Sequence, residues 1–340
     1  MKTARLSTYL WFCLSIGAAA CSTKVGNGAP HSDMGGADLA PAPASGDLAA
    51  AGAPTIAWRA QTSGTTQVLN GIWGSSASDI YAVGIGGTIL HSGGDGQWTA
   101  QTSGTTATLS AIWGDSASDL FATGDSIVLR SSGDGNWHAE TPPGGPWLAV
   151  WGSSGSDVYI AGIGGIAHST GDGSWTLQPP STLPRGYFGL GGRGASDVWA
   201  VGGDGQTTVG QLIGGAERFN GSWSWTALGS TENMKSLVFA SAGTFIVGNG
   251  GQIWCDPGSG FVQQVSNDFN DLNSVWADSD GTLFAVGGSG SVVTSSGNGV
   301  WTNEATPSAL PLNGVWGTSP VALYAVGYGG EILKRGYGTN

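Results

Sequence analysis

From residue 58 onward, no apolar run is long enough for an ordinary helix before a Gly/Ser cluster interrupts it. The stretch 69–98, LNGIWGSSASDIYAVGIGGTILHSGGDGQW, sets the pattern. It holds three short runs rich in Ile, Val, Trp and Tyr, at 69–73, 79–83 and 88–91, and a fourth follows at 98–102. Such residues suit a pleated surface, so the runs predict four strands, here named A, B, C and D in chain order. Their polar/apolar alternation is weak, which fits sheets covered on both faces.

The pattern recurs seven times. An aromatic three residues before a glycine marks strand B: Tyr81, Phe121, Tyr159, Trp199, Phe245, Phe284 and Tyr324. Trp73, Trp113, Trp151, Gly191, Phe239, Trp276 and Trp316 mark strand A. Trp58, Trp98, Trp137, Trp175, Trp225, Phe261 and Trp301 open strand D, at spacings of 40, 39, 38, 50, 36 and 40. Four strands per roughly 40 residues is the period of a propeller blade. The fold expected is all-β, a seven-bladed β-propeller of four-stranded antiparallel blades. Stacking them radially buries both faces of each sheet. Closure is expected from the N-terminal run: WRAQTSGTT at 58–66 nearly repeats WTAQTSGTT at 98–106, while the last unit ends in RGYGTN with no strand D of its own. The run 58–62 should therefore pair with 331–334 as the outer strand of the C-terminal blade, which also covers an open edge.

Turn chemistry refines the unit. Gly84, Gly86 and Gly87 are expected at positive φ between B and C. Asp79, Asp119, Asp157 and Asp197 precede strand B, where a short carboxylate can accept backbone N–H bonds of the A–B turn. The C–D turns read SGGDGQW, SSGDGNW, STGDGSW and SSGNGVW, an Asx-Gly hairpin signal. This turn resembles the Asp-box of sialidase-like propellers. The whole unit resembles the Asp-box/BNR-type repeats of bacterial surface lipoproteins and, more distantly, the photosystem II assembly factor propeller. The resemblance covers about residues 58–335 and implies a fold, since this fold hosts many functions.

Residues 1–20 join a basic start (Lys2, Arg5) to an apolar run ending in small residues, an export signal. Ala18-Ala19-Ala20-Cys21 resembles a lipobox, which implies that Cys21 is the lipid acceptor. Ser22 after it implies sorting to a bacterial outer membrane or cell surface. Residues 21–57 carry that cysteine and an Ala/Gly/Pro-rich tether reaching roughly 30–35 Å. Residues 58–340 form the propeller, expected to be a monomer.

Charge excludes some partners. Loss of the leader leaves 9 basic against 23 acidic residues, so nucleic acid is not an expected partner. Cys255 is then a lone cysteine, read as a buried residue in strand C of blade five. His91 and His168 share a repeat position with Arg130 and Lys334, so they do not form a ligand shell, and no metal or other cofactor is expected. A sialidase-like hydrolase needs an arginine cluster and a Tyr/Glu pair. No FRIP-like motif precedes the repeats, and there is no GxSxG, Cys/His pair or HExxH. The chain reads as non-enzymatic, a binding or scaffold module for a protein or glycan; a glycan-active hydrolase or a purely structural envelope lipoprotein are the alternatives. Most tryptophans hold repeat positions and read as packing.

The repeat breaks at blade four. The connection before it, 179–186, is proline-rich, its B–C connection is long, and Gly191 stands where others have Trp. Both connections leave on one face, so the candidate ligand-binding residues are Arg185, Tyr187, Gln206 and Gln211.

Overall fold

The computed structural model describes residues 55–179, 186–203 and 214–338. They form seven four-stranded antiparallel sheets. Blade one consists of Leu69–Ser76, Asp79–Gly84, Ile89–Ser92 and Thr99–Gln101. Blades two to six begin at Leu109–Ser116, Trp147–Ser154, Gly186–Gly194, Met234–Ala240 and Leu272–Ala277 and follow the same order. Blade seven takes Leu312–Ser319, Ala322–Gly327 and Ile332–Tyr337 from the C-terminal end and Ile56–Gln61 from the N-terminal end. The expected closure is present, its strand starting two residues earlier and ending one residue earlier than the sequence indicated: Ile56 pairs with Tyr337 and Gln61 with Ile332. Arg59 reinforces it by donating to the Gly336 carbonyl at 2.8 Å.

Burial follows position in the blade. Strand B is buried almost throughout, as in Asp79–Gly84 and Asp119–Gly124, while the short strand D is largely exposed. The apolar core is divided into seven clusters, each built from two neighbouring blades. The aromatic opening strand D packs edge-on against the strand-B aromatic of the blade before it. Trp98 meets Tyr324, Trp137 meets Tyr81 and Trp301 meets Phe245, with centroids 6.3–6.4 Å apart. Such pairs add about 0.5–1.5 kcal/mol beyond their area burial. In blade four this place belongs to Trp223, 6.2 Å from Tyr159, and not to Trp225. The turn before it, at 220–222, is shorter than the C–D turns used to set the spacing.

The recurrent Trp-Gly of strand A also has a physical cause. Each indole lies against the backbone of the next blade's glycine. A Cβ on Gly114, Gly152 or Gly192 would stand 2.6, 2.7 or 2.4 Å from the indole of Trp113's predecessor Trp73, of Trp113 and of Trp151 respectively. Blade four breaks the pattern reciprocally. Gly191 sits opposite Phe239, which by register occupies the glycine's place in blade five; Val238 holds the position first assigned to Phe239. A Cβ on Gly191 would lie 3.5 Å from the Phe239 ring. The ring missing from one side of the joint is supplied from the other, so packing alone accounts for Gly191.

Two turn expectations change. Gly86 and Gly87 have φ of +70°, but Gly84 is extended. Its small size is needed all the same, because a Cβ there would lie 2.1 Å from the Val68 carbonyl. The carboxylates before strand B serve side chains of strand C more than the turn. Asp79 Oδ1 lies 2.8 Å from His91 Nε2 and Asp157 Oδ1 2.8 Å from His168 Nε2, while Arg130 and Arg218 donate to Asp119 and Asp197. This explains why the position tolerates His or Arg: it needs a donor.

Candidate functional site

Of the residues singled out for the ligand-binding face, Tyr187 is described. Arg185, Gln206 and Gln211, like Cys21, lie outside the described residues. The strand ends carrying the two irregular connections are neighbours, as expected: Gly186 pairs with Gly203, and Gly203 with Gly214. Strand C of blade four begins at Gly214, two residues before the sequence indicated.

Beside them a pocket of about 460 Å³ opens between blades three and four. Ile163, Gly164 and Gly165 of the blade-three B–C turn form one side, and Leu177, Gln178 and Pro179 at the end of its strand D form another. Tyr187, Glu217 and Trp223 of blade four complete the wall. Tyr187 stands where other blades place Leu69, Leu109, Leu272 or Leu312, and Glu217 where they place Leu90, Leu129, Val293 or Leu333. Two apolar core positions have thus become polar together. The Tyr187 hydroxyl donates to a Glu217 carboxylate oxygen, and the two residues are only 2% and 1% exposed. Burying a carboxylate is costly unless it is hydrogen-bonded, which makes the tyrosine and glutamate a matched pair. Sequence reasoning missed Glu217. The signal was present: aligning AERF at 216–219 with ILHS at 89–92 puts Glu217 on Leu90, an apolar register.

The same face carries the mouth of the axial channel, lined by strand A of all seven blades and about 170 Å³ in volume. Among its described lining residues there is no tryptophan. Asn70, Asn273 and Asn313 each donate a side-chain N–H to a main-chain carbonyl of the following blade, at 2.9–3.0 Å. Blades four and five place Phe188 and Lys235 there instead, with the ammonium 4.2 Å from the ring centroid. Burial pushes the Lys235 pKa down, against the nearby Asp271 carboxylate, which raises it.

Elsewhere the chemistry is structural. In the C–D turns Asp95, Asp134 and Asp172 accept backbone N–H bonds two residues on, at 2.8–3.0 Å. No group of three or more His, Cys, Asp or Glu among the described residues is arranged to hold a metal. Cys255 is a free, buried thiol in strand C of blade five, pushed up by burial and by Asp256. None of the five described arginines lines the pocket; Arg130, Arg193, Arg218 and Arg335 are held by Asp119, Asp197 and Glu304 around the ring.

No protein-family model matches the chain, and no curated protein matches it. Solved structures do share its fold. It is similar to YCF48 from Cyanidioschyzon merolae at 18% identity and a TM-score of 0.64, over 82% of this chain and 98% of that one. It is similar to the WD40 propeller domain of Doa1 at 13% identity and a TM-score of 0.68, over 84% and 98%. It is also similar to virginiamycin B lyase from Staphylococcus aureus at 13% identity and a TM-score of 0.62, over 83% and 99%. The likeness to the photosystem II assembly factor is thereby supported at the level of fold. Membership of the Asp-box/BNR family is not shown. The chain is a seven-bladed β-propeller, a fold shared by binding proteins and by a lyase.

Proposed function

We propose that the chain is an exported, lipid-anchored binding module with Asp-box-like blades, and that it meets a protein partner on the face formed by the D–A and B–C connections. The observation carrying this reading is where the sevenfold pattern breaks. The pocket, the polar Tyr187–Glu217 pair, the channel-mouth cation Lys235 and the ends of both irregular connections all gather at blades three to five on that face. A repeat protein recognises through departures from its repeat, and loops on a rigid scaffold commonly carry function. One solved YCF48 structure, similar in fold at 16% identity, is described as bound to a D1 peptide, so a propeller of this shape can seat a peptide. The leader and Cys21 support attachment to a bacterial outer membrane or cell surface.

The test is capture from envelope extracts by the full chain, compared with two surface variants. Ile163→Asp with Leu177→Asp alters exposed rim residues of the pocket, and Val300→Asp alters an exposed C–D turn on the opposite face. Loss of the same partner with the first variant only is expected. Equal loss with both, or with neither, would send the binding face elsewhere.

A hydrolase reading has one observation in its favour, the hydrogen-bonded Tyr/Glu pair beside a pocket. Both side chains are packed into a blade joint, 2% and 1% exposed, which favours a structural role for the pair. Turnover of a fluorogenic sialoside that vanishes in Tyr187→Phe would reverse this preference.

A further inference from the structure

Neighbouring blades share a fastening at their outer edge. The tryptophan that opens strand D donates its indole N–H to the side chain three residues beyond the matching aromatic of the blade before it. Trp98 bonds Gln61, Trp137 bonds Gln101, Trp175 bonds Glu140 and Trp301 bonds Gln264, all at 2.8–2.9 Å. At the joint of blades three and four both parts exist, Trp223 and Gln178, yet the bond is not made. Gln178 reaches its own Thr176 carbonyl at 3.3 Å, and the Trp223 N–H is buried with no partner. Trp58 at the joint of blades six and seven also lacks its bond, but there a competitor is visible: Glu304 is held by Arg335 at 2.7 Å. Gln178 has no comparable competitor. Instead, both halves of the open fastening line the pocket.

We infer that this pocket is a binding site for an aromatic ring bearing a hydrogen-bond acceptor, a phenol being the simplest case, and that the acceptor takes the Trp223 indole N–H. The inference rests on the binding-face reading and names the chemistry that the face selects. The walls supply apolar contact from Ile163, Ile166, Leu177, Pro179 and the Trp223 ring. A volume of about 460 Å³ falls in the range of ordinary ligand pockets, which are mostly apolar with a few placed polar groups. The unmatched group is an indole N–H, which can only donate, so the ligand must accept. Leaving such a donor buried and unpaired is unfavourable, and an acceptor that reaches it removes that penalty. The other joints already satisfy the same donor internally at Trp98, Trp137, Trp175 and Trp301, which makes them controls within one molecule. The ring could belong to a free small molecule or to a tyrosine of a protein partner; both present the same chemistry.

The experiment follows the indole N–H signals in ¹H–¹⁵N spectra of the full chain. The Trp223 signal is identified by its loss in Trp223→Phe, or by its selective shift in Gln178→Glu, which alters a half-buried side chain and spares the ring. Addition of p-cresol should move the Trp223 signal downfield and saturably while those of Trp98, Trp137, Trp175 and Trp301 stay in place. Toluene, which lacks the acceptor, should bind about tenfold more weakly, the fold-change of a single net hydrogen bond, and should cause no downfield shift. Ile163→Asp with Leu177→Asp should abolish the response. A matching shift with N-acetyl-tyrosinamide assigns the ring to a protein side chain; a response to p-cresol alone assigns it to a free small molecule. Silence with every probe, or a shift that survives the rim variant, overturns the site. Probe binding without partner capture would retain the pocket and remove the binding-face reading; capture sensitive to the rim variant without any indole shift would do the reverse.

Discussion

Blade seven is assembled from the two ends of the described chain, and blade four from a single continuous stretch apart from one long connection. The assembled blade is the more regular. Its outer strand pairs one to one with Ile332–Tyr337, and its Gln61 fastens the next blade through Trp98. Blade four has a shifted register between its strands C and D and a polar pair at two core positions, while the fastening to the preceding blade is open in both. Regularity in this propeller therefore depends on which residues meet across a joint, not on whether they are close in sequence. A closed ring lets a distant strand complete a blade because the joint surfaces, not the connections, carry the specificity.

The largest effect should come from breaking blade seven. A chain beginning at Gln67 loses Ile56–Gln61, and with it the buried Trp58 ring and the cover on Ile332–Tyr337. Removing the Trp58 side chain alone should cost about 3–5 kcal/mol, and the bared strand edge should promote aggregation. Thermal melts of chains beginning at Ala53 and at Gln67 check this; equal midpoints and equal cooperativity would contradict it.

A smaller change sharpens the contrast between closed and open fastenings. Trp137→Phe keeps a ring against Tyr81 but removes the bond to Gln101, and in urea denaturation should lose about 1 kcal/mol beyond the cost of the smaller ring. Trp223→Phe keeps a ring against Tyr159 and removes a donor that had no partner, so it should lose only the cost of the smaller ring. Similar losses in the two variants would erase the distinction on which the pocket inference stands.

The last two tests use pH. The Tyr81 and Tyr159 hydroxyls are pushed up to about 12, first by burial and then by Asp79 and Asp157 beside them. Their unfolded forms ionise near 10, so the stability they contribute is complete below that value and is lost as pH rises toward 12. Blade four has Trp199 at this position. Tyr81→Phe with Tyr159→Phe should flatten the alkaline limb of the stability curve, measured by denaturation at stepped pH. On the acid side, burial raises the Asp197 pKa, but hydrogen bonds from Arg218, Arg193 and Trp199 outweigh it and hold the carboxyl below its usual range. Its contribution is present above the ordinary carboxylate value and is lost as pH falls through the lowered one. The pair is partly exposed, so the effect should be the smallest of the four, and Asp197→Asn should remove it.

Much of the fold was legible because each blade must solve the same joint with the same parts. Tyr81, Trp98 and Gly84 recur for reasons that hold seven times over, and the spare Trp58 strand announced closure. The site was legible in its address and not in its chemistry. Tyr187 stood next to an irregular connection, whereas Glu217 was passed over, and pairing with Ala200 is what places it in a core register. Gly191 misled in the opposite direction: its missing ring comes from Phe239 across the joint, and only the partner surface shows that. The shift from Trp225 to Trp223 has the same origin, since spacing counts residues and the short turn at 220–222 removes two.

Closure also fixes orientation. Strand Ile56–Gln61 runs antiparallel to Ile332–Tyr337, so Ile56 and Tyr337 lie together at the end of the blade where the A–B and C–D turns are found, away from the B–C turns and the pocket. The described chain therefore begins at the end of the propeller opposite the pocket. A surface coupled at Thr55 would face the A–B and C–D turns and leave the pocket and channel mouth pointing away from it. Coupling at the opposite end, through the exposed Ile163 turn, would turn the same propeller over and cover the pocket.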